Sequence, residues 1–217
     1  MSLKLIGAHL SPFVRKARIV LAEKGLEYEH DPMMPFGVSD EYKQMHPEGK
    51  IPVLTDGDRV IPDSSAIALY LERLHPEPAL YPSDAYALAR AVWLEEFADS
   101  GLITGTIVPF QERVLGAVFF KREADEEKVA KALAETLPPF FDYLERELGG
   151  ADWFVDDRFS IADAGLATQF VAMALGGEGV DAGRWPGLAG WVERVMARPS
   201  LKAILDEEQA LMKSMAG

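Results

Sequence analysis

The strongest constraint on the fold is a change of sequence pattern at a proline-rich segment, residues 76–83. Three prolines fall within these eight residues. Every strand-like pattern lies before the segment, and every patterned stretch after it has the apolar spacing of a helix. Because such segments are typical of domain boundaries, we predict a mixed α/β domain over residues 1–80, a linker over 81–85 and an all-helical domain over 86–217.

The first domain opens with a pattern typical of a βαβ unit. Leu3 to Ile6 is a short apolar run, and Ser11 followed by Pro12 is a standard helix start. Apolar residues then recur with the period of a helix until Gly25, and a second short strand fits residues 28–30.

The rest of the chain supplies a hairpin and then helices. A long connection with a short helix over residues 41–45 leads to strands over 51–55 and 59–61 around an Asp-Gly-Asp turn, and a helix begins at Asp63-Ser64. In the second domain we predict helices from 86 into the 110s with interruptions at Gly101, Gly105 and Pro109, over 125–148 with a kink or split at Pro138-Pro139, and over 161–175, 188–197 and 201–212.

Charge and cysteine content exclude several classes of function. A net charge of -13 argues against binding to nucleic acid or to an anionic membrane surface. The absence of cysteine excludes a disulfide framework, a thiolate metal site and a cysteine nucleophile. The four histidines lie far apart without ligand spacing, so we expect no metal. We find no apolar run of membrane length and no secretory signal, and we expect a cytoplasmic protein.

Ser11 is the first candidate for chemistry. It lies at a helix start, where unpaired backbone N–H groups and the helix dipole favour an anion. A thiolate bound there would be stabilised, and because the chain has no cysteine the thiol would have to come from a ligand. The alternative is that Ser11 serves only as an N-cap.

Two further segments allow a structural and a functional interpretation. Pro52 stands at the entrance of a strand; it is either an ordinary trans proline, or a cis proline that leaves the backbone of Ile51 turned outward to pair with an extended peptide. Asp63 and Ser64 either cap a helix or hold the ammonium and carboxylate groups of a ligand.

The order and spacing of these signals resemble the thioredoxin-like, amino-terminal domain of the cytosolic glutathione transferases. The resemblance covers Leu3 to Tyr81, with SPFVRKARIVLAEKG followed by GKIPVLTDGDRVIPDSSAIALYLERLHP. The segments FSIADAGLATQF and PGLAGWVERVMARPSL resemble the helical domain of the same family. The resemblance thus extends over nearly the whole chain and implies a thioredoxin-like domain followed by a helical bundle.

The resemblance also implies roles for individual residues. Ser11 would activate the thiol of glutathione, as in the serine-type classes of the family. The peptide bond before Pro52 is expected to be cis, with the backbone of Ile51 pairing with the cysteinyl unit. The other residues implied to bind glutathione are Phe13 beside Ser11, Lys50 at the glycyl carboxylate, and Asp63 with Ser64 at the γ-glutamyl end.

Some positions depart from the family pattern. The family often has Asn where this chain has His46, and Glu where it has Asp63, which shortens the reach to the γ-glutamyl group. The Ser-Ser-Cys turn of the zeta class is absent, which argues against a maleylacetoacetate isomerase. The lack of cysteine argues against the omega and beta types.

We therefore predict a glutathione transferase, with glutathione as co-substrate and a small apolar electrophile as partner. The second-substrate pocket would be formed by Leu10, Phe36, Phe97 and Phe110. A homodimer is expected, with aromatic residues near Tyr86 to Phe97 shared across a two-fold axis. The alternatives are a binding or regulatory module that keeps the fold without conjugating activity, and a glutathione-dependent dehalogenase or peroxidase.

Overall fold

The computed structural model describes residues 2–216, and the chain forms two compact units. One unit contains the chain up to Leu80 together with Ser200–Leu211, and the other contains Tyr81–Pro199. The last helix, α11 (Pro199–Ala216), therefore supplies a segment to the first unit.

The first unit is built on a four-stranded sheet. Its strands lie in the order β2-β1-β3-β4; β1 pairs in parallel with β2 and antiparallel with β3, and β3 pairs antiparallel with β4. These pairings confirm the βαβ unit and the hairpin predicted from the sequence. The strands are β1 (Leu3–Ile6), β2 (Glu29–Asp31), β3 (Val53–Asp56) and β4 (Arg59–Pro62).

The first unit also contains three helices, which come after β1, after β2 and after β4 in the chain. The predicted helix starts are confirmed, since Ser11 and Asp63 are the N-caps of the first and third of them. The first and third also pack against each other and bury apolar residues such as Val14, Val20 and Leu71. The helices are α1 (Pro12–Glu23), α2 (Asp40–Met45) and α3 (Ser64–Leu74).

The described part of the second unit is built from helices, with one isolated β-bridge between Val155 and Arg158. Its longest helix is buried at every residue from Ile161 to Met173, as expected of a helix at the centre of a bundle. The predicted capping box at its start is confirmed by a bond from the Ser160 backbone N–H to Asp163 Oδ2 at 3.0 Å. The helices are α4 (Ala85–Phe97), α5 (Ile103–Phe110), α6 (Gly116–Val118), α7 (Glu126–Lys131), α8 (Leu137–Leu148), α9 (Ile161–Leu175) and α10 (Pro186–Met196).

The predicted interruptions at Gly105 and Pro109 are wrong, because both residues lie inside α5, whereas Gly101 lies in a π-helical segment that separates α4 from α5. Helical backbone continues from α4 through α6, because wider π-helical turns at Ala98–Leu102 and Gln111–Leu115 link the α-helices. Gly105 serves close packing instead, since a Cβ there would lie 2.6 Å from Leu137 Cδ2.

At Pro138-Pro139, where a kink or split was predicted, the structure has a junction between two helical segments. A π-helical segment, Ala132–Thr136, ends where α8 begins, and the prolines stand in the first turn of α8. Proline is tolerated there because the first N–H groups of a helix have no intrahelical partner. Across the part of the chain that the structure describes, no helix combines the length and apolarity needed to span a bilayer.

Candidate functional site

The sheet register brings three loop segments to one edge of the first unit. Ile6 pairs with Val53 in the β1–β3 ladder, and Val53 pairs with Pro62 in the β3–β4 ladder. The residues just after β1, just before β3 and just after β4 therefore adjoin. The backbone N–H of Asp63 donates to the carbonyl of Pro52 at 3.2 Å, which joins two of these segments directly.

Gly7 allows the segment after β1 to lie close to the loop before Pro52. A Cβ at this position would lie 2.5 Å from Val14 Cγ2 on α1 and 3.2 Å from Ile51 Cβ. A side chain there would force α1 away from the strand end and from the loop before Pro52. The glycine thus sets how closely the start of α1 lies to the Pro52 loop.

Ser11 occupies the N-cap of α1, as its sequence context predicted. It is half-buried, and its Oγ accepts from the backbone N–H of Val14 at 3.5 Å. That distance is long for a capping bond. A serine hydroxyl that accepts one bond still has its own hydrogen to donate, so the geometry leaves Ser11 able to donate to an anion at the helix start.

Two histidines support the turn between β1 and α1. His30 Nε2 lies 2.8 Å from the carbonyl oxygen of Gly7, and the ring of His9 lies 4.1 Å from that of His30. Burial lowers the pKa of both rings from the ordinary value, so both are neutral at pH 7. A neutral His30 that holds a proton on Nε2 donates to Gly7 and braces the turn.

The peptide bond between Ile51 and Pro52 is cis, as the resemblance implied. Ile51 is half-buried, whereas Lys50 is exposed and forms an ion pair with Glu48 at 3.0 Å. Sequence reasoning missed Tyr42, whose hydroxyl donates to the carbonyl of Lys50 at 2.7 Å. Burial raises the pKa of Tyr42 to about 12, so this donor keeps its proton over the physiological range.

Asp63 and Ser64 form the start of α3. Asp63 adopts a φ of 74°, which is uncommon for a residue other than glycine, and its side chain accepts from the N–H groups of Ser65 and Ala66 at 2.9 and 3.1 Å. Ser64 is 1% exposed, and its hydroxyl has no hydrogen-bond partner among residues 2–216. A buried hydroxyl without a partner is costly in the ligand-free protein, which is a reason to expect a ligand there.

A buried cation lies close to the same turn. Lys16, on α1, is fully buried, and its ammonium donates to Ser65 Oγ at 2.9 Å. The sequence pattern did not single out Lys16, because a lysine inside an amphipathic helix ordinarily belongs to the solvated face. Its charge makes the start of α3 more favourable for an anion in a chain of net charge -13.

The four residues predicted to form the second-substrate pocket lie in different surroundings. Leu10 and Phe110 are buried, and Phe36 is 55% exposed. Phe97 is half-buried, with its ring 5.3 Å from that of Phe140 in an edge-to-face contact. Phe13 is half-buried beside Ser11. The assignment of these residues to substrate binding stays a prediction.

Among residues 2–216, no three or more His, Cys, Asp or Glu side chains cluster so that they could hold a metal ion. The groups that the site offers to a ligand are hydroxyls, helix starts and the two nearby lysines, Lys16 and Lys50.

A four-stranded mixed sheet with this topology, followed by a helical unit, defines a thioredoxin-like domain joined to an all-helical domain. Residues 5–79 match the family model of the glutathione S-transferase N-terminal domain, and residues 110–208 match that of the C-terminal domain. The chain therefore belongs to the glutathione S-transferase family, and it is an enzyme of that family. The fold predicted from the sequence is confirmed.

Individual relatives agree with this assignment. Glutathione S-transferase Z2 of Arabidopsis thaliana is 32% identical over 212 residues, which are 95% of this chain and 92% of the relative. The maleylacetoacetate isomerase of Pseudomonas aeruginosa is 28% identical over 92% of this chain and 94% of its own. A glutathione S-transferase structure from Methylobacterium radiotolerans, solved with glutathione sulfonate, matches with 30% identity and a TM-score of 0.75, covering 94% of each chain.

Proposed function

We propose that the protein activates the thiol of glutathione at Ser11 and presents the thiolate to small apolar electrophiles. The observation that carries the proposal is the buried, unpartnered hydroxyl of Ser64 at the start of α3, on the sheet edge to which Gly7 brings the start of α1. The two helix starts offer one place for a carboxylate and another for a thiolate.

The γ-glutamyl end of glutathione fits the start of α3. Its carboxylate would accept from the Ser64 hydroxyl, near the buried charge of Lys16. Its ammonium would meet the carboxylate of Asp63, which is exposed. The proposal thus supplies the partner that the Ser64 hydroxyl lacks in the ligand-free protein.

The remainder of glutathione would run along the loop before β3. Its cysteinyl unit would pair with the half-buried backbone of Ile51, and its glycyl carboxylate would meet the exposed ammonium of Lys50. The ammonium of Lys50 would then be shared between Glu48, its ion-pair partner in the ligand-free protein, and the glycyl carboxylate. Tyr42 fixes the carbonyl of Lys50 and so holds this loop in place.

The energetics of thiol activation require no general base. A free thiol has a pKa near 8.5, and lowering it by about two units takes roughly 2.7 kcal/mol. One charge-assisted bond from the Ser11 hydroxyl supplies about 1.5 to 3 kcal/mol, and the helix start adds about 0.3 to 1 kcal/mol. The thiol releases its proton to solvent water as it ionises. The thiolate sulfur then attacks the electrophilic carbon, a new C–S bond forms, and the leaving group departs with the electron pair of its broken bond.

Substitution of Ser64 by alanine tests the proposal. We expect Ser64→Ala to raise the KM for glutathione about tenfold or more, because a charge-assisted hydrogen bond is lost. The turnover number should change little. The melting temperature should not fall, since the hydroxyl has no partner in the ligand-free protein. Conjugation of a generic aryl halide and retention on immobilised glutathione provide the measurements.

The result that would overturn the proposal is an unmodified protein that neither binds immobilised glutathione nor conjugates the aryl halide. It would favour a binding module that retains the family fold. Isomerisation, dehalogenation and peroxide reduction would use the same thiolate, and the same protein should be assayed for them, since one relative is a maleylacetoacetate isomerase.

We also propose a homodimer. Helix α4 leaves large apolar side chains in solvent: Tyr86 is 75% exposed, Trp93 48% and Val92 39%. Exposed apolar patches of this kind are typical of protein interfaces. Sedimentation at micromolar concentration should give twice the chain mass of 23.9 kDa, and Tyr86→Glu should shift the mass toward one chain. A single-chain mass for the unmodified protein would remove the proposal.

A further inference from the structure

A buried ion pair joins the two ends of the sequence inside the first unit. Arg15 on α1 is fully buried, and Glu208 on α11 is 1% exposed. Arg15 Nε donates to the two carboxylate oxygens of Glu208 at 3.0 and 3.1 Å, and Arg15 Nη2 donates to Oε2 at 2.8 Å. This forked geometry fixes the plane of the guanidinium group.

The fixed guanidinium reaches the backbone beside Ser11. Arg15 Nη2 also donates to the carbonyl oxygen of Leu10 at 3.3 Å, and the backbone N–H of Arg15 donates to the carbonyl of Ser11 at 2.9 Å. Arg15 therefore holds the peptide groups on both sides of Ser11. The side-chain bond is the one that depends on Glu208.

Stability alone is a poor explanation for such a pair. Removing two charges from water offsets most of their attraction, and well-packed apolar residues of similar volume often serve a core equally well. An apolar pair, however, has no donor for the carbonyl of Leu10. The feature that requires Arg15 and Glu208 is the bond to the turn that carries Ser11.

We propose that Arg15 and Glu208 are positioning residues for the Ser11 hydroxyl, so that the carboxyl-terminal helix sets how strongly the enzyme ionises bound glutathione. The inference rests on the proposed function of Ser11. Glu208 holds Arg15, Arg15 holds the carbonyl of Leu10, and the orientation of that peptide group directs the Ser11 side chain toward the sulfur. Neither charged residue is proposed to touch glutathione.

A neighbouring ion pair between the same two helices provides a matched control. Arg18 Nη2 donates to Glu207, which is largely exposed, and Arg18 Nε donates to Tyr28 at 3.2 Å. Arg18 Nη1 also lies 3.7 Å from Glu208 Oε1, beyond hydrogen-bond distance. The hydrogen bonds described for Arg18 do not reach Leu10 or Ser11. Glu207→Gln therefore weakens the contact between α1 and α11 without altering the bond to the Ser11 turn.

The decisive variant is Arg15→Met/Glu208→Leu, which removes both charges of the buried pair together, while Arg18 loses its 3.7 Å contact with Glu208 but keeps its ion pair with Glu207. We expect the pKa of the bound thiol to rise by about 0.5 to 1 unit, and turnover at neutral pH to fall about threefold to tenfold and recover toward pH 9. The KM for glutathione should stay within about twofold, since no binding residue is changed. Glu207→Gln should match the unmodified protein in all three quantities.

Thiolate absorbance of bound glutathione against pH provides the first measurement, and amide hydrogen exchange of residues 8–14 in the ligand-free protein provides the second. Faster exchange in the double variant than in Glu207→Gln supports the inference independently of glutathione. Coincident titrations of the double variant and the unmodified protein would overturn it. If the unmodified protein shows no bound thiolate, the proposed function fails, and with it the role in ionisation, while exchange still decides whether Arg15 holds the turn.

A second variant covers the case in which the double variant does not fold. Glu208→Asp keeps the buried charge but withdraws the carboxylate by one methylene, so Arg15 must shift toward it and away from the carbonyl of Leu10. A smaller shift of the thiol titration in the same direction supports the inference. An unchanged titration, with the exchange of residues 8–14 also unchanged, contradicts it.

Discussion

Replacing Ser11 with alanine separates its two roles, the helix cap and the thiol donor. The capping bond from the Val14 N–H to Ser11 Oγ is 3.5 Å long, so its loss should cost near the lower end of the range for N-caps, about 0.5 kcal/mol. The bond to a bound thiolate is charge-assisted and should be worth about 1.5 to 3 kcal/mol. The second loss is the larger, and it appears only when glutathione is bound.

The loss of the hydrogen bond to the thiolate determines the expected change in rate. A loss of 1.5 to 3 kcal/mol corresponds to a rise of about one to two units in the pKa of the bound thiol. At neutral pH the turnover of Ser11→Ala should therefore drop about tenfold to a hundredfold and recover partly toward pH 9, where the free thiol ionises unaided. The affinity for glutathione should barely change, because the γ-glutamyl contacts at Asp63 and Ser64 remain.

Thiolate absorbance against pH, turnover against pH and the melting temperature should be measured together. Ser39→Ala is the matched control, because Ser39 is also an N-cap serine and accepts from the Tyr42 N–H at 3.2 Å. It should lower the melting temperature at least as much and leave the thiol titration unchanged. If the thiol titrations of Ser11→Ala and the unmodified protein coincide, Ser11 is only a cap and the reasoning is refuted.

Three further substitutions test the loop before Pro52, the turn after β1 and the capping box of α9. Tyr42→Phe removes the donor to the carbonyl of Lys50 and should raise the KM for glutathione about threefold with turnover unchanged, as steady-state kinetics will show. Gly7→Ala places a Cβ 2.5 Å from a methyl group of Val14 and should lower the free energy of unfolding by about 1 to 3 kcal/mol in urea titrations. Burial raises the pKa of Asp163 to about 6. Since the pKa of Asp163 in the unfolded chain is near 3.9, its contribution to the free energy of unfolding is complete below about pH 4 and is lost, by about 2 to 3 kcal/mol, as the pH rises through 6. The difference in unfolding free energy between the unmodified protein and Asp163→Asn should fall over the same pH range. A constant difference from pH 4 to 7 would contradict this prediction.

The sequence by itself determined the features that depend on near neighbours along the chain. The helix starts at Ser11 and Asp63 follow from capping groups that bond within three residues. The span of α9, Ile161–Leu175, was predicted to the residue, because its capping box and its apolar run are both local. The hairpin of β3 and β4 was predicted for the same reason, since its turn and both strands lie within about a dozen residues.

The tertiary structure decided the features whose partners lie far away in the chain. Arg15 and Lys16 belong to the polar set of α1 by pattern, yet both are fully buried. Arg15 is satisfied by a carboxylate 193 residues further on, and Lys16 by a hydroxyl 49 residues further on. Tyr42 reaches the site only through the way the loop before Pro52 folds back over α2. Burial of a charge is favourable only where folding delivers a partner of opposite charge or a hydrogen-bond acceptor, and no local pattern reports where that partner will be.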